Sequence, residues 1–314
     1  MKRRKTEKTF LTIGLIFLAL VFITTDAFSW GSATHAYIDD HLGKKANMRN
    51  MNEIYGGMSP DIFNYMLESP YLQDLYITTH YDFMDVWRAA RCEVGKPLAY
   101  GFVSHNDLWG ADSTAHNAGL TYGQSEGYVI AKAKDLMDQA PLPLELGIPD
   151  DVAFEIYHNI VEAGVDILVK RNDDLLIGQK IMSSALLRSP KFPLLLVKAY
   201  ADDFSPYFGG YVKAAKAIAS AEKEFRKTMI LYGYALMQDE PAAIQLISEQ
   251  MADLAESFLG AYGIPLSLPK EEVVALVVDL VKVSMLLCEP DYAEEITATT
   301  ISVTKNMTAN RILY

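Results

Sequence analysis

Histidine is scarce in this chain, and its six copies stand close to carboxylates at spacings that metal binding or proton transfer can use. They are His35, His41, His80, His105, His116 and His158. In Tyr157-His158-Asn159-Ile160-Val161-Glu162 a His and a Glu stand four residues apart. On a helix such a pair lies about 40° apart around the axis, stacked on one face where both can reach one ion. By itself the pair also fits an ordinary surface contact. The segment from Ser104 to His116 is richer, with His105, Asp112 and His116 separated by seven and four residues. If it is one regular helix, these three fall within about 40° of one another, and Asp107 is turned about 200° from His105. Gly110, Ala111, Ser113 and Ala115 leave room among them for an ion and for close helix approach. A third element is Trp30-Gly31-Ser32-Ala33-Thr34-His35. Were the chain cut before Trp30, its α-amine, titrating near pH ~8, could serve as a nitrogen ligand; otherwise Trp30 packs as an apolar residue. Cys92 and Cys288 cannot supply a cysteine-based zinc site, so a metal here rests on imidazoles and carboxylates.

The elements that must carry these residues are helical. Pro149-Asp150-Asp151 opens a periodic run through Val152, Ile156, Ile160, Val161, Val165 and Leu168, and Pro269-Lys270-Glu271-Glu272 opens another through Val273, Leu276, Val277, Leu280 and Val283. Ser59-Pro60-Asp61 reads as an N-cap followed by Pro at the first helical position. Residues 210–237 and 240–259 also have helical spacing, and no run alternates as a strand does. The expected class is all-α. A polar break at Lys170-Arg171-Asn172-Asp173-Asp174 follows the last histidine, which suggests a metal-binding domain over 30–170 and a C-terminal helical region over 171–314.

Residues 1–29 read as a leader. Lys2, Arg3, Arg4, Lys5 and Lys8 precede an apolar stretch from Phe10 to Ile23, and Ala27-Phe28-Ser29 forms a small-x-small cleavage triplet. The stretch is shorter than the roughly 20 residues of a spanning helix, so a cleaved signal peptide and a secreted or periplasmic chain starting at Trp30 are expected, with an uncleaved membrane anchor as the alternative. The whole chain carries 28 basic and 40 acidic residues, a formal charge of −12; losing five basic residues with Glu7 and Asp26 makes it −15. Such a surface disfavours non-specific nucleic-acid binding.

Taken as an ordered set, these residues resemble the zinc-dependent phospholipase C family and its relatives, the S1/P1-type single-strand nucleases. That superfamily orders its ligands as an N-terminal Trp, then His, Asp, His, His, Asp, His, His and Glu or Asp. Here Trp30, His35, Asp61, His80, His105, Asp112, His116, His158 and Glu162 fill the order. The match covers roughly residues 30 to 165. Gly57-Met58-Ser59-Pro60-Asp61-Ile62 and Glu162 are similar to the phospholipase branch, and the Trp-Gly-x-x-x-His opening is shared with the nucleases. The middle cluster departs from the family spacing: Trp109 stands four after His105 and His116 falls one residue late, so the carboxylate comes from Asp112 or, less well, Asp107.

The resemblance implies a multi-helix bundle with two or three zinc ions. Asp61, His80, His105 and Asp112 would hold one, His116, His158 and Glu162 a second, and Trp30 and His35 a third with Asp112 bridging. It also implies a phosphodiesterase acting on phospholipid through metal-activated water, with Asp61 as a catalytic base, transient contact with a membrane surface, and nucleic acid as the alternative substrate. A helical protein with an incomplete metal set and no catalysis is the rival of another class. Tyr37, Phe63, Tyr65, Tyr81 and Phe83 could box a cationic group or serve as core and rim. His41 is left over.

Overall fold

Apolar residues recur on this chain at intervals of three and four, and the chain resolves accordingly into packed helices. The computed structural model describes residues 30–43, 48–66, 69, 71–143, 146–261, 263–265 and 268–314; the expected leader over 1–29 lies outside them. No strand occurs among the described residues, and the all-α expectation holds.

The first half runs α1 (Ser32–Leu42), α2 (Met48–Met58), a 3-10 turn (Ser59–Tyr65), α3 (Leu72–Tyr81), α4 (Met84–Ala89) and α5 (Gly95–His105). A short π turn (Ser113–Asn117) follows, then α6 (Tyr128–Gln139) and α7 (Asp150–Leu168). After a second π turn (Val169–Asp173) come α8 (Ile177–Leu187), α9 (Phe192–Phe208), α10 (Tyr211–Leu236), α11 (Glu240–Ala261), α12 (Lys270–Cys288) and α13 (Tyr292–Ala309).

Local chemistry explains the main boundaries. Pro149 and Pro269 enter α7 and α12 with extended ψ, and Asp150, Asp151, Glu271 and Glu272 follow in first turns, where carboxylates favour the helix dipole. α7 buries Tyr157, Ile160, Val161, Val165 and Leu168, the stripe its period demands. Ser59 differs from its expected role. It starts no new helix, because the 3-10 turn follows α2 without a gap and the Ser59 hydroxyl donates to Gly56 O at 2.6 Å.

α2 and α5 pack backbone against backbone. A Cβ on Gly101 would sit 2.1 Å from Glu53 O, and one on Gly56 would sit 2.2 Å from Leu98 O, so the two backbones touch only because both positions lack a side chain. α1 packs on α2, α7, α8 and α13; α7 is flanked by α6 and α12; α10 is flanked by α8 and α9. One hydrophobic core runs from Trp30 to Ile312 and includes residues on both sides of Lys170. No described helix is long and apolar enough to cross a membrane.

Candidate metal centre

Three imidazoles are oriented by the same device. His80 Nδ1 donates to Tyr76 O at 3.1 Å, and His105 Nδ1 donates to Gly57 O at 2.7 Å. A carbonyl oxygen only accepts, so both rings carry a proton on Nδ1, which leaves Nε2 as the nitrogen that a metal ion could take up. His116 Nδ1 donates to Asp107 Oδ1 at 3.0 Å, and Tyr76 Oη donates to the other oxygen of Asp107. The Nε2 atoms of His80, His105 and His116, both oxygens of Asp112 and Oε1 of Glu162 are buried and make no hydrogen bond of ordinary geometry. A buried polar atom without a well-formed hydrogen bond is costly, and carbonyl or carboxylate groups behind a ligand imidazole are what metal sites use to fix the ring.

These atoms converge. His105 Nε2 lies 2.6 Å from Asp112 Oδ2, and His35 Nε2 lies 3.0 Å from Asp112 Oδ1, with the His35 and His105 rings stacked 4.0 Å apart. Asp61 stands 3.6 Å from His80 Nε2 and 3.8 Å from His105 Nε2. On α7, His158 Nε2 lies 3.2 Å from Glu162 Oε1, and the His116 ring meets the His158 ring edge-on at 5.2 Å. Among the described residues, four sets of candidate ligand atoms fall within 4.8 Å of one another: His35, His105 and Asp112; Asp61, His80 and His105; His116, His158 and Glu162; Asp107, Asp112 and His116. Shared members make these sets contiguous, and the donors are the borderline-soft and hard types that divalent transition metals accept. The residues present therefore fit a metal centre.

The route by which His105 and His116 meet differs from the expected single helix. α5 ends at His105, and Asn106 takes φ −24° and ψ 155°, which leaves the helix. Its side-chain oxygen then accepts from Leu108 N and Trp109 N at 2.9 Å and from Gly110 N at 3.2 Å, capping a new turn. A Cβ on Gly110 would lie 2.5 Å from Ser104 O and His105 O, so only glycine lets the chain reverse this tightly. The reversal brings Asp112 back onto His105. It also makes Asp107 the carboxylate behind His116.

Trp30 and His35 are placed by a residue that sequence reasoning missed. The buried carboxylate of Asp166, on α7, accepts from Ala33 N and Thr34 N at 2.8 Å and from Thr34 Oγ1 and Tyr232 Oη at 2.7 Å. An anion at the N-terminus of α1 is favoured by the free N–H groups there. A Cβ on Gly31 would lie 2.6 Å from that carboxylate, which explains the glycine after Trp30. Trp30 is 1% exposed; its indole N–H reaches Ala111 O and Thr114 Oγ1 at 3.1 Å, and its ring stacks on Tyr128. His41 is exposed, its Nδ1 donating to Tyr37 O. Of the aromatic residues considered as a cation box, Phe63 and Phe83 are core residues, and Tyr65 lines a cavity described below.

The electrostatics are those of a crowded charge cluster. Burial works against charge on His105, but the carboxylates of Asp112 and Asp61 outweigh it and push its pKa up to about 9. Burial likewise opposes charge on Asp112, yet His105 and His35 hold it well below the usual carboxylate range. Burial, with the charge of His105, lowers His35, and burial with His116 lowers His158 further. Glu162 is raised well above its ordinary value by burial and then by Asp61, Asp166 and Asp112. A bound cation would relieve that repulsion.

No family model and no solved structure matches the chain. A curated relative, a 2,3-dihydroxyphenylpropionate/2,3-dihydroxicinnamic acid 1,2-dioxygenase of Azotobacter vinelandii, is 27% identical over 146 residues, which are 45% of this chain and 46% of the relative. The chain thus spans about half the length of the curated relative it matches. The similarity is to an enzyme, and the chain carries several groups that could hold a metal ion. It overturns the expectation of a phospholipid-hydrolysing phosphodiesterase, since the matching relative is named for a different reaction. The physical reason is that imidazole and carboxylate sets serve several metals and several reactions, so ligand order does not fix the chemistry.

Proposed function

We propose that this chain is an exported metal-dependent enzyme whose buried centre holds two or three divalent transition-metal ions, with zinc the ion favoured by the ligand order. The observation that carries this reading is the convergence of His80, His105 and His116 Nε2 with Asp112 and Glu162, each ring fixed from behind through Nδ1. Asp61, His80, His105 and Asp112 would hold one ion and His116, His158 and Glu162 a second. His35, with a Trp30 α-amine released by cleavage of residues 1–29, would complete a third with Asp112 shared. Such ions supply Lewis acidity to a coordinated oxygen and a positive charge that holds a polar substrate group. Asp112, fully buried, sets the spacing of the His35 and His105 imidazoles. Asp61, 19% exposed, is the carboxylate of its group that a substrate can approach, and it is placed to accept a proton there.

Metal analysis of the purified protein tests the reading. Two or three ions per chain are expected, with about one lost in His116→Ala and about one in His158→Ala, since a three-ligand site tolerates little ligand loss. Fewer than two ions in the unsubstituted protein would sink it. N-terminal sequencing of the exported chain should begin at Trp30, and a retained leader would remove the third site.

A second reading is favoured by the partial similarity to a dioxygenase together with the composition of the groups. Three of them are two imidazoles and one carboxylate, the set used by non-haem iron(II) oxygenases. Oxygen uptake by iron-loaded protein with 2,3-dihydroxyphenylpropionate would support it. No uptake would end this second reading and leave the first standing.

A further inference from the structure

A cavity of about 320 Å³ opens beside the centre, between α7 and the C-terminal helices. Its floor includes Asp61 and Glu162, each a member of a ligand set, with Trp30 next to them. The remaining wall is mostly apolar: Ile160 from α7, Phe225 and Met229 from α10, Ile247 and Met251 from α11, and Val277 from α12. The wall also holds Gln250, whose Oε1 is buried and makes no hydrogen bond. The chamber therefore combines two candidate ligand carboxylates with a mostly apolar lining. Its volume lies at the low end of small-molecule sites, which run from about 300 to 1,000 Å³.

We infer that the C-terminal helices form a binding site for the apolar body of the substrate, a compact single-ring or short-alkyl group joined to a polar head that reaches the metal centre. This rests on the reading of the site as a metal centre and adds the class of molecule it takes. Apolar surface moved from water into such a chamber strengthens binding in proportion to its area, and a methylene contributes a factor of about three to four. The unpaired Gln250 acceptor favours a body that also carries one hydrogen-bond donor.

A series of zinc-chelating hydroxamates on the zinc-loaded protein reads this out by calorimetry. Acetohydroxamate tests the centre alone, and the butano-, hexano- and octanohydroxamates extend an alkyl tail. The expected result is a dissociation constant falling about threefold to fourfold per methylene, levelling off once the chamber is full. Met251→Trp, which puts a larger ring into the chamber wall, should flatten the chain-length dependence. Equal affinity across the series in the unsubstituted protein would overturn the inference while leaving the metal centre intact. Failure of every hydroxamate to bind the zinc-loaded protein would also overturn the inference, and a protein that takes up no zinc would overturn the reading beneath it.

Discussion

At the level of single side chains, the proposed metal centre depends as much on the atoms behind the candidate ligands as on those ligands. Tyr76 O, Gly57 O and Asp107 each occupy an Nδ1, and each thereby aims an Nε2 inward. Asp107 is itself held by Tyr76 Oη, so it is oriented on both oxygens. Asp107→Asn should therefore keep the fold and lower metal affinity by about 10- to 100-fold, the usual effect of losing a partner beyond the ligands. Competition against a chelator of known affinity measures it. Unchanged affinity would return Asp107 to an incidental contact. Asp166 works differently, through backbone. It fastens the start of α1, which bears His35, to α7, which bears His158 and Glu162. Replacement by Asn removes the charge facing those N–H groups and should cost about 1–3 kcal/mol in urea unfolding.

Between elements, the controlling contact is the crossing of α2 and α5. The approach through Gly56 and Gly101 sets how far Gly57 O stands from His105. Gly101→Ala forces a methyl against Glu53 O, and overpacking of this kind costs about 1–3 kcal/mol. Urea unfolding gives that cost, and a parallel loss of bound metal is expected because His105 moves with α5. A second junction joins α1 to α8: Lys180 donates to Asp40 at 2.7 Å and to Asp174 at 2.6 Å. Burial would raise the Asp40 pKa, but hydrogen bonds from Lys180 and Asn50 outweigh it and hold it below the ordinary value. A depressed folded-state pKa adds stability above the unfolded carboxylate range, and that stability is lost as pH falls through the folded value. Lys180→Met should thus cost about 1 kcal/mol near neutrality, discounted for partial exposure. The difference from the unsubstituted protein should shrink below about pH 4. A cost independent of pH would show that Lys180 acts through packing alone.

Across the whole molecule, the residues after Lys170 complete the first half. α12 lies so close to α7 that a Cβ on Gly164 would fall 2.3 Å from Ser284 Oγ, and α10 sends Tyr232 to Asp166. Thr299 of α13 bonds Thr114 within the π turn, and Glu295 accepts from Leu120 N and Thr121 N at 2.7 Å, fixing the loop after His116. A chain ended after Asp173 should therefore lose cooperative thermal unfolding followed by circular dichroism, because it exposes one face of α7 and frees Asp166 of a partner. A sharp transition in that fragment would show that the first half is self-sufficient.

The sequence by itself determined the helical class, since a period of three to four apolar residues and proline entries are local signals, and they placed α7 and α12. It also determined the donor types, because two cysteines and six histidines leave only imidazole and carboxylate chemistry, and the i,i+4 pairing of His158 with Glu162 could be read from a single turn. Tertiary structure decided what spacing could not. Asn106 breaks the helix that was expected to align His105, Asp112 and His116, and a backbone reversal brings them together instead. The place of Asp107 behind His116, the seat of Asp166 against Gly31 and the apolar chamber made with α10, α11 and α12 all depend on contacts between residues far apart in the chain. Local periodicity carries no information about such contacts, because they are set by which helix faces pack against which.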